Sequence, residues 1–289
     1  MIKIGFIGAG IVATTLATAL HSKGYSIVAV SSRSRRSSDR LAKSMKGCRS
    51  YSSQGVADNS GLVFITTPDD AIARVVTEVR WRPEQSIIHC SGADSTAILS
   101  PARKVGACVG VFHPLQTFTS SRQERLTGIT YAIEADKPLL VILKEMATTL
   151  GGRWIELKQK DKVLYHTAAV FACNYLVTLL KVATDLWQHL GIPPKQANLA
   201  LLPLLKGTIN NIENTGIPRC LTGPISRGDN GTIKKHLEAL QEAAPELVTI
   251  YRELGLKTIP IALAKGKIDK EQANKLQFVL NQTGEGSVR

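Results

Sequence analysis

The chain has 289 residues, of which 44% are hydrophobic and 20% charged, enough for a sizeable core and natural for two globular domains. Its 36 Lys and Arg against 23 Asp and Glu leave a formal net charge of +13, which favours anionic partners such as phosphorylated or carboxylated small molecules. The basic residues are dispersed, the tightest group being Ser32–Arg36, and aromatics are only 5%; without an interleaved aromatic and basic stripe, nucleic-acid binding is not expected.

Five cysteines (Cys48, Cys90, Cys108, Cys173, Cys220) are odd in number and widely spaced, with no C-x-x-C. That pattern argues against a disulfide framework or a zinc site and fits a reducing cytoplasm. No H-x-x-x-H or H-E-x-x-H signature is present, so no metal is expected. "MIKIGFIGAG" lacks the basic region of a signal peptide. The longest apolar run, Ala168–Leu180, is broken by Asn174 and falls short of the roughly 20 residues of a membrane helix, so a soluble protein without membrane contact is expected.

In chain order, "IKIGFIG" is an apolar run ending in glycine, as in a strand buried on both faces. Ile11–Lys23 has a helical pattern stopping at Gly24, "SIVAVSS" is a second strand, and Ser38–Met45 a short helix. "GLVFITTP" is a third strand, with Asp69 and Asp70 at N-cap positions of the helix "AIARVVTEV". "SIIHCSG", "ACVGVFHP" and "ITYAIEA" read as strands, Pro138–Leu150 as a helix, and "RWIEL" as a last strand. Strands alternating with helices imply a mainly parallel, doubly wound α/β sheet. Beyond Leu157 strand signals stop: Asp161–Leu190 reads as one long helix, followed by helices over Lys195–Asn214, Ile233–Leu240, Pro245–Leu254 and Lys270–Leu280, and a frayed tail "NQTGEGSVR". The expected division is a Rossmann domain over 1–157 and an all-helical domain over 158–289.

Gly8-Ala9-Gly10-Ile11-Val12-Ala13 fits G-x-G-x-x-A, after a buried strand and at the start of a helix. Gly8 permits the tight turn, Gly10 admits a pyrophosphate to the backbone, and Ala13 lets helix and strand approach. The helix N-terminus with Ala9, Ile11 and Val12 offers free N–H groups to the phosphates; the alternative is a glycine turn without a ligand. No acidic residue ends the second strand, as binding of a ribose 2′-hydroxyl would require. Instead Ser32, Arg33 and Arg36 follow it, hydroxyl and guanidinium groups suited to a 2′-phosphate, so NADP(H) is predicted over NAD(H); the alternative is a solvated basic loop.

Ligands of open α/β sheets lie beyond the carboxyl ends of the strands. Thr66-Thr67-Pro68 ends one strand and is expected to line the nicotinamide side. Ser91 and Gly92 follow the next and are candidates to hold a substrate carboxylate, while His113 ends the third; His89 reads as more structural. In "DKVLYHTAAVFACN", Lys162 and His166 are four residues apart on one helical face, with Asn174 about 120° away by the 100° step of a helix. Lys162, His166 or His113 can supply a proton to a substrate receiving hydride, and Asn174 can orient substrate or cofactor amide. Lys162 as a surface lysine and Asn174 as an interhelical contact are the bland alternatives. In "CLTGPISRGDNG", Thr222, Arg227 and Asp229 are candidate substrate contacts, although Asp229 also suits an N-cap at Thr232.

The order "GFIGAGIVA", "FITTPDDAI", "HCSGA", "GVFHPLQTF", "KVLYHTAAVFACNYL", "LTGPISRGD" resembles a bacterial family of Rossmann-like proteins with a helical C-terminal domain of unknown function. That family is similar to pyrroline-5-carboxylate reductase, ketopantoate reductase and the 6-phosphogluconate and β-hydroxyacid dehydrogenases. The resemblance implies NADPH-dependent reduction and a homodimer formed through the helical half. It also implies Lys162, early in the first long helix of the C-terminal domain, as proton donor with Asn174 further along, in the manner of ketopantoate reductase and the β-hydroxyacid dehydrogenases. "HP" at His113-Pro114 is similar to prephenate dehydrogenases, whose histidine meets the substrate hydroxyl. The expectation is an NADPH-dependent reductase of a small carboxylated ketone or imine, ketopantoate first. The alternatives are a non-catalytic NADP(H) sensor or scaffold and a prephenate dehydrogenase-like enzyme.

Overall fold

Strand and helix alternate through the first half of the chain. The computed structural model describes residues 2–119 and 126–282. The elements are β1 (Lys3–Ile7), α1 (Ile11–Ser22), β2 (Ser26–Ser31), α2 (Arg35–Lys43), β3 (Arg49–Ser50), α3 (Ser53–Asn59), β4 (Leu62–Ile65), α4 (Asp69–Glu78), β5 (Ser86–His89), α5 (Ser100–Lys104), β6 (Cys108–Leu115), β7 (Thr130–Ala135), α6 (Lys137–Thr149) and β8 (Arg153–Glu156). They are followed by α7 (Lys162–Ala172), α8 (Asn174–Gln188), α9 (Pro194–Thr215), α10 (Asn230–Ala243), α11 (Val248–Lys265) and α12 (Lys270–Asn281). Among the described residues, eight strands form one sheet in the order β3-β2-β1-β4-β5-β6-β7-β8. The first six positions are parallel and reproduce a dinucleotide-binding order; β7 is antiparallel to β6, and β8 parallel to β7.

The continuous apolar runs are explained by burial on both faces. Along β1, Ile4 and Phe6 join one core and Ile7 the other; along β4, Leu62 and Phe64 alternate likewise with Val63 and Ile65. Phe6, Phe64, Phe112 and Tyr131 form a row of ring contacts across four strands, with centroids 5.1, 6.1 and 4.5 Å apart. Such pairs add to the area term of burial.

The chain divides into two compact units, residues 1–174 and 175–289. The first thus runs past the composition change at residue 157 and includes α7. In the second, Ile233, Ile259, Ala262, Leu276 and Leu280 form the core. Several expectations need correction. Asp69 and Asp70 are not N-caps: Pro68 holds that position, and both acids stand in the first turn of α4, where the helix dipole favours them. Ser34, not a later residue, caps α2 by accepting from Ser37 N–H, which draws Arg35 and Arg36 into the helix rather than a loop. The long helix expected over Asp161–Leu190 is broken at Cys173, whose φ of −116° and ψ of −65° separate α7 from α8. The helix expected over Pro245–Leu254 is a 3-10 turn plus α11, reaching Lys265. The stretch Gln159–Gln188 is, by length and composition, long and apolar enough to cross a membrane, and none of its apolar window is buried; the expectation that no segment reaches that length is corrected. Of the expected frayed tail, residues 283–289 lie outside the described residues.

Candidate active site

The glycine turn after β1 is tied to the end of β4. Gly8 has φ +119°, and a Cβ there would stand 2.6 Å from the Thr66 backbone, so glycine is required both for conformation and for space. Thr66 N–H donates to Ile7 O at 2.8 Å, and Gly8 N–H to Ser31 O at 2.9 Å. Gly10 is the N-cap of α1, with no side-chain cap and no acid in the first turn; a Cβ on it would meet nothing within 4 Å. The first-turn N–H groups therefore face open space beside a half-buried Ala9 and the partly exposed Ile11 and Val12. Nearby in sequence to Thr66, Thr67 Oγ1 is buried with no hydrogen-bond partner among the described residues, and Pro68 is exposed. Ser32 is half-buried, and Arg33 and Arg36 are exposed at the end of β2 and start of α2.

A second constellation forms where β5 and β6 end. His89 closes β5, is fully buried, and accepts Ser91 N–H at Nδ1 (3.1 Å). Its Nε2 must then carry the proton and donates to Ser95 O at 3.2 Å. Burial, chiefly, pushes its pKa down to about 4, so His89 is a neutral pin for the 90–95 loop. Burial likewise pushes the Cys90 thiol up to about 12, leaving it inert.

Ser91 corrects another expectation. Its Oγ is buried and lies 2.9 Å from both Asp69 Oδ2 and Asp94 Oδ2, while accepting N–H bonds from Ala93 and Asp94. One hydroxyl proton can serve only one of the two carboxylates at a time. A substrate carboxylate would meet two like charges there, so the Ser91 hydroxyl is not its binder.

Lys162 opens α7 with only 1% of its surface exposed, which excludes the reading as a surface lysine. Its Nζ donates to Ser91 O at 3.0 Å. Burial pushes its pKa down to about 8, against an opposing upward pull from Glu134, Asp94, Cys90 and Asp69. Glu134, on β7, accepts from Thr96 N–H and Oγ1 through one oxygen and leaves Oε2 buried without a partner among the described residues.

One helical turn on, Tyr165 places its hydroxyl 2.8 Å from His113 Nδ1, the rings meeting edge to face at 5.6 Å. His166 stands edge-on to His113 at 6.3 Å. Both imidazoles close over Gly92: a Cβ there would lie 2.5 Å from His166 Cδ2 and 2.9 Å from His113 Nε2. Burial first, then the Lys162 and His166 charges, push the His113 pKa down to about 4; burial pushes Tyr165 up to about 12. Near neutral pH the pair is therefore uncharged imidazole and intact phenol.

The structure thus brings together Lys162, His166, His113, Gly92 and the Ser91 backbone within the first unit. Asn174 begins α8 beyond the break at Cys173, so its expected angular relation to Lys162 along one helix does not hold. Thr222 and Arg227 belong to the second unit, where with Gly223, Ser226, Lys265 and Lys267 they line a surface concavity. Asp229 there is the N-cap of α10, accepting Thr232 N–H at 3.0 Å and Thr232 Oγ1 at 2.7 Å, which corrects its assignment to substrate. Tyr165 carries no motif of its own; its place three residues after Lys162, on the same helical face, is the sequence signal that could have found it.

Residues 1–114 match the Rossmann-like domain, and residues 129–258 match the family described as a domain of unknown function, DUF2520. The chain carries a Rossmann-like domain followed by a DUF2520 domain. His113 and the glycine turn fall in the first match, whereas Lys162, Tyr165 and His166 fall in the DUF2520 region, so the constellation joins the two. Among solved structures, BF3122 of Bacteroides fragilis, provisionally assigned as an NADP oxidoreductase, is 27% identical, covering 92% of this chain and 98% of that one at a TM-score of 0.71. TM1727 of Thermotoga maritima is 26% identical, covering 90% and 99% at 0.76. The 1-pyrroline-5-carboxylate reductase of Streptococcus pyogenes shares the fold at 18% identity, covering 96% and 98% at 0.62. No curated protein matches the chain.

Proposed function

We propose that the protein is an NADP(H)-dependent oxidoreductase that reduces a small carboxylated ketone or imine, with ketopantoate the first substrate to try. The observation that carries this is the buried Lys162 ammonium beside the His113–Tyr165 pair at the carboxyl ends of β5 and β6, in the same unit as the glycine turn. A strand-end crevice in this sheet order is where dinucleotides and their substrates meet. The provisional NADP assignment of BF3122, at 27% identity over nearly the full chain, supports the cofactor class.

The residues present fit such a cofactor. The open face over Gly10 and the uncapped first turn of α1 suit a pyrophosphate. Thr67 Oγ1, just past β4, has no hydrogen-bond partner among the described residues. Ser32, Arg33 and Arg36 supply hydroxyl and guanidinium donors for a 2′-phosphate. When bound, the cofactor supplies hydride. The chain supplies the rest: Lys162 provides the fixed positive charge, and His113, His166, Tyr165 or Lys162 the proton. In the second unit Thr222 and Arg227 line a surface concavity with Lys265 and Lys267, a set of donors suited to a small anion. A protein that only sensed NADP(H) would have no use for a buried ammonium among three carboxylates, an arrangement typical of catalytic sites.

The exposed apolar side chains of α8 and α9, among them Val177, Leu199 and Leu204, are proposed to pack against a second copy of the chain. The test of the function is NADPH oxidation with a panel of 2-oxo acids and cyclic imines. Turnover of at least one member is expected, and binding of NADPH without oxidation by any of them would favour the sensor instead.

A further inference from the structure

Resting on the reductase reading, the question is which of four candidate groups gives the proton. A donor inside a buried site must hold its proton until needed, reach the reacting atom, and be refilled afterwards. Lys162 fails the last condition. It is 1% exposed, and its hydrogen-bond partner among the described residues is the Ser91 carbonyl, an acceptor with no proton to return. Tyr165 meets all three. It is only half-buried, it keeps its O–H, and His113 Nδ1 lies 2.8 Å from its oxygen. His113 is itself only half-buried, and its other ring nitrogen, Nε2, lies against Gly92, where the absence of a Cβ makes room for it and for His166.

We infer that Tyr165 delivers the proton and that His113 refills it through Nδ1. As the substrate carbon accepts hydride, its oxygen or imine nitrogen takes the Tyr165 phenol proton, and the Tyr165 O–H bond breaks. The phenolate oxygen takes the Nδ1 proton of His113. As it does so, His113 takes a proton at Nε2 from solvent, directly or by way of His166, and exchange of its ring protons with solvent restores the Nδ1–H tautomer before the next turnover. The balance is one hydride and one solvent proton added across the double bond. The relay requires His113 in its Nδ1–H tautomer, donating to Tyr165 Oη. His89 is held in the opposite tautomer by Ser91 N–H. The titratable groups facing His113 are Tyr165, His166 and Lys162 of α7 and His89 of β5. Of these, Lys162 acts on the pair through its charge, as a positioning residue.

Two measurements test this. Nitrogen-15 NMR of imidazole-labelled protein, without cofactor, is expected to show His113 as the neutral Nδ1–H tautomer at pH 7, and Tyr165→Phe to remove that preference. A neutral Nε2–H tautomer in the wild type overturns the relay. In steady state, Tyr165→Phe is expected to lower kcat by about 10²–10⁴-fold, with NADPH affinity within about threefold of wild type. His113→Ala is expected to show a similar loss that imidazole rescues, with a rate that falls as pH rises from about 5 to about 7, the range over which wild type, with Lys162 charged and His113 neutral, is flat. Wild type that turns over while Tyr165→Phe keeps more than about a tenth of kcat overturns this assignment alone. Wild type that binds NADPH and reduces no member of the panel overturns the reductase reading and this assignment with it.

Discussion

Replacing Lys162 by methionine keeps the volume and removes the charge. With a folded pKa near 8 against an ordinary 10.5, the protonated side chain opposes folding at pH 7 by at most about 3 kcal/mol, at about 1.36 kcal/mol per tenfold in proton affinity. The sign follows from linkage. Below pH 8 both states are protonated and the folded state bears the full penalty; above 10.5 both are neutral and it vanishes. Methionine also gives up the bond to Ser91 O, which contributes about 1.5–3 kcal/mol when the donor is charged. Lys162→Met should therefore be from equal to about 1.5 kcal/mol more stable than wild type at pH 7. That difference should then fall by about 2–3 kcal/mol as pH is raised from 7 to 10, with the variant ending less stable. Urea unfolding of both proteins at the two pH values reads this out, because titrations elsewhere cancel in the comparison. A difference that does not move with pH would mean that Lys162 titrates as an ordinary exposed lysine, and the burial reasoning fails. The same variant should raise the proton affinity of His89 and His113, both of which the Lys162 charge lowers.

Gly92→Ala sets a Cβ 2.5 Å from His166 and 2.9 Å from His113; a loss of about 1–3 kcal/mol in stability is expected from overpacking, with displaced His113 and His166 resonances, and an unchanged imidazole spectrum would contradict the geometry. Replacing Arg33 and Arg36 together by alanine should weaken NADPH binding at least about tenfold while altering NADH binding little, in fluorescence titration; equal effects on both cofactors would remove the 2′-phosphate assignment. Leu204→Glu on α9, where leucine is 68% exposed, should convert a dimer to a monomer in light scattering; a monomeric wild type would remove the proposed interface.

Much of the first unit was legible in the chain. The runs "IKIGFI" and "LVFI" had to be strands covered on both faces, because no half-exposed strand tolerates so little alternation. The turn was legible from the spacing of Gly8 and Gly10 between a buried strand and a helix, and at Gly8 only glycine fits a φ of +119° beside the Thr66 backbone. Helix ends were less so: the start of α2 and the break at Cys173 depend on local capping and on packing of α7, and apolar periodicity runs through both without a mark. The two-residue β3 and the glycine-containing α3 were too short to announce themselves.

The sequence by itself determined the alternation of strand and helix, the glycine turn with its uncapped helix, and the identity of Lys162, His113 and His166 as residues with chemistry to offer. Only the tertiary structure decided that Lys162 is buried against a carbonyl, that Ser91 is enclosed by two carboxylates, and that Tyr165 meets His113 across 52 positions of chain. The physical reason is range. Backbone conformation and amphipathic pattern are set by neighbours within a few residues, whereas burial, and with it the proton affinity of every group in the site, is set by whichever distant segments the sheet brings alongside.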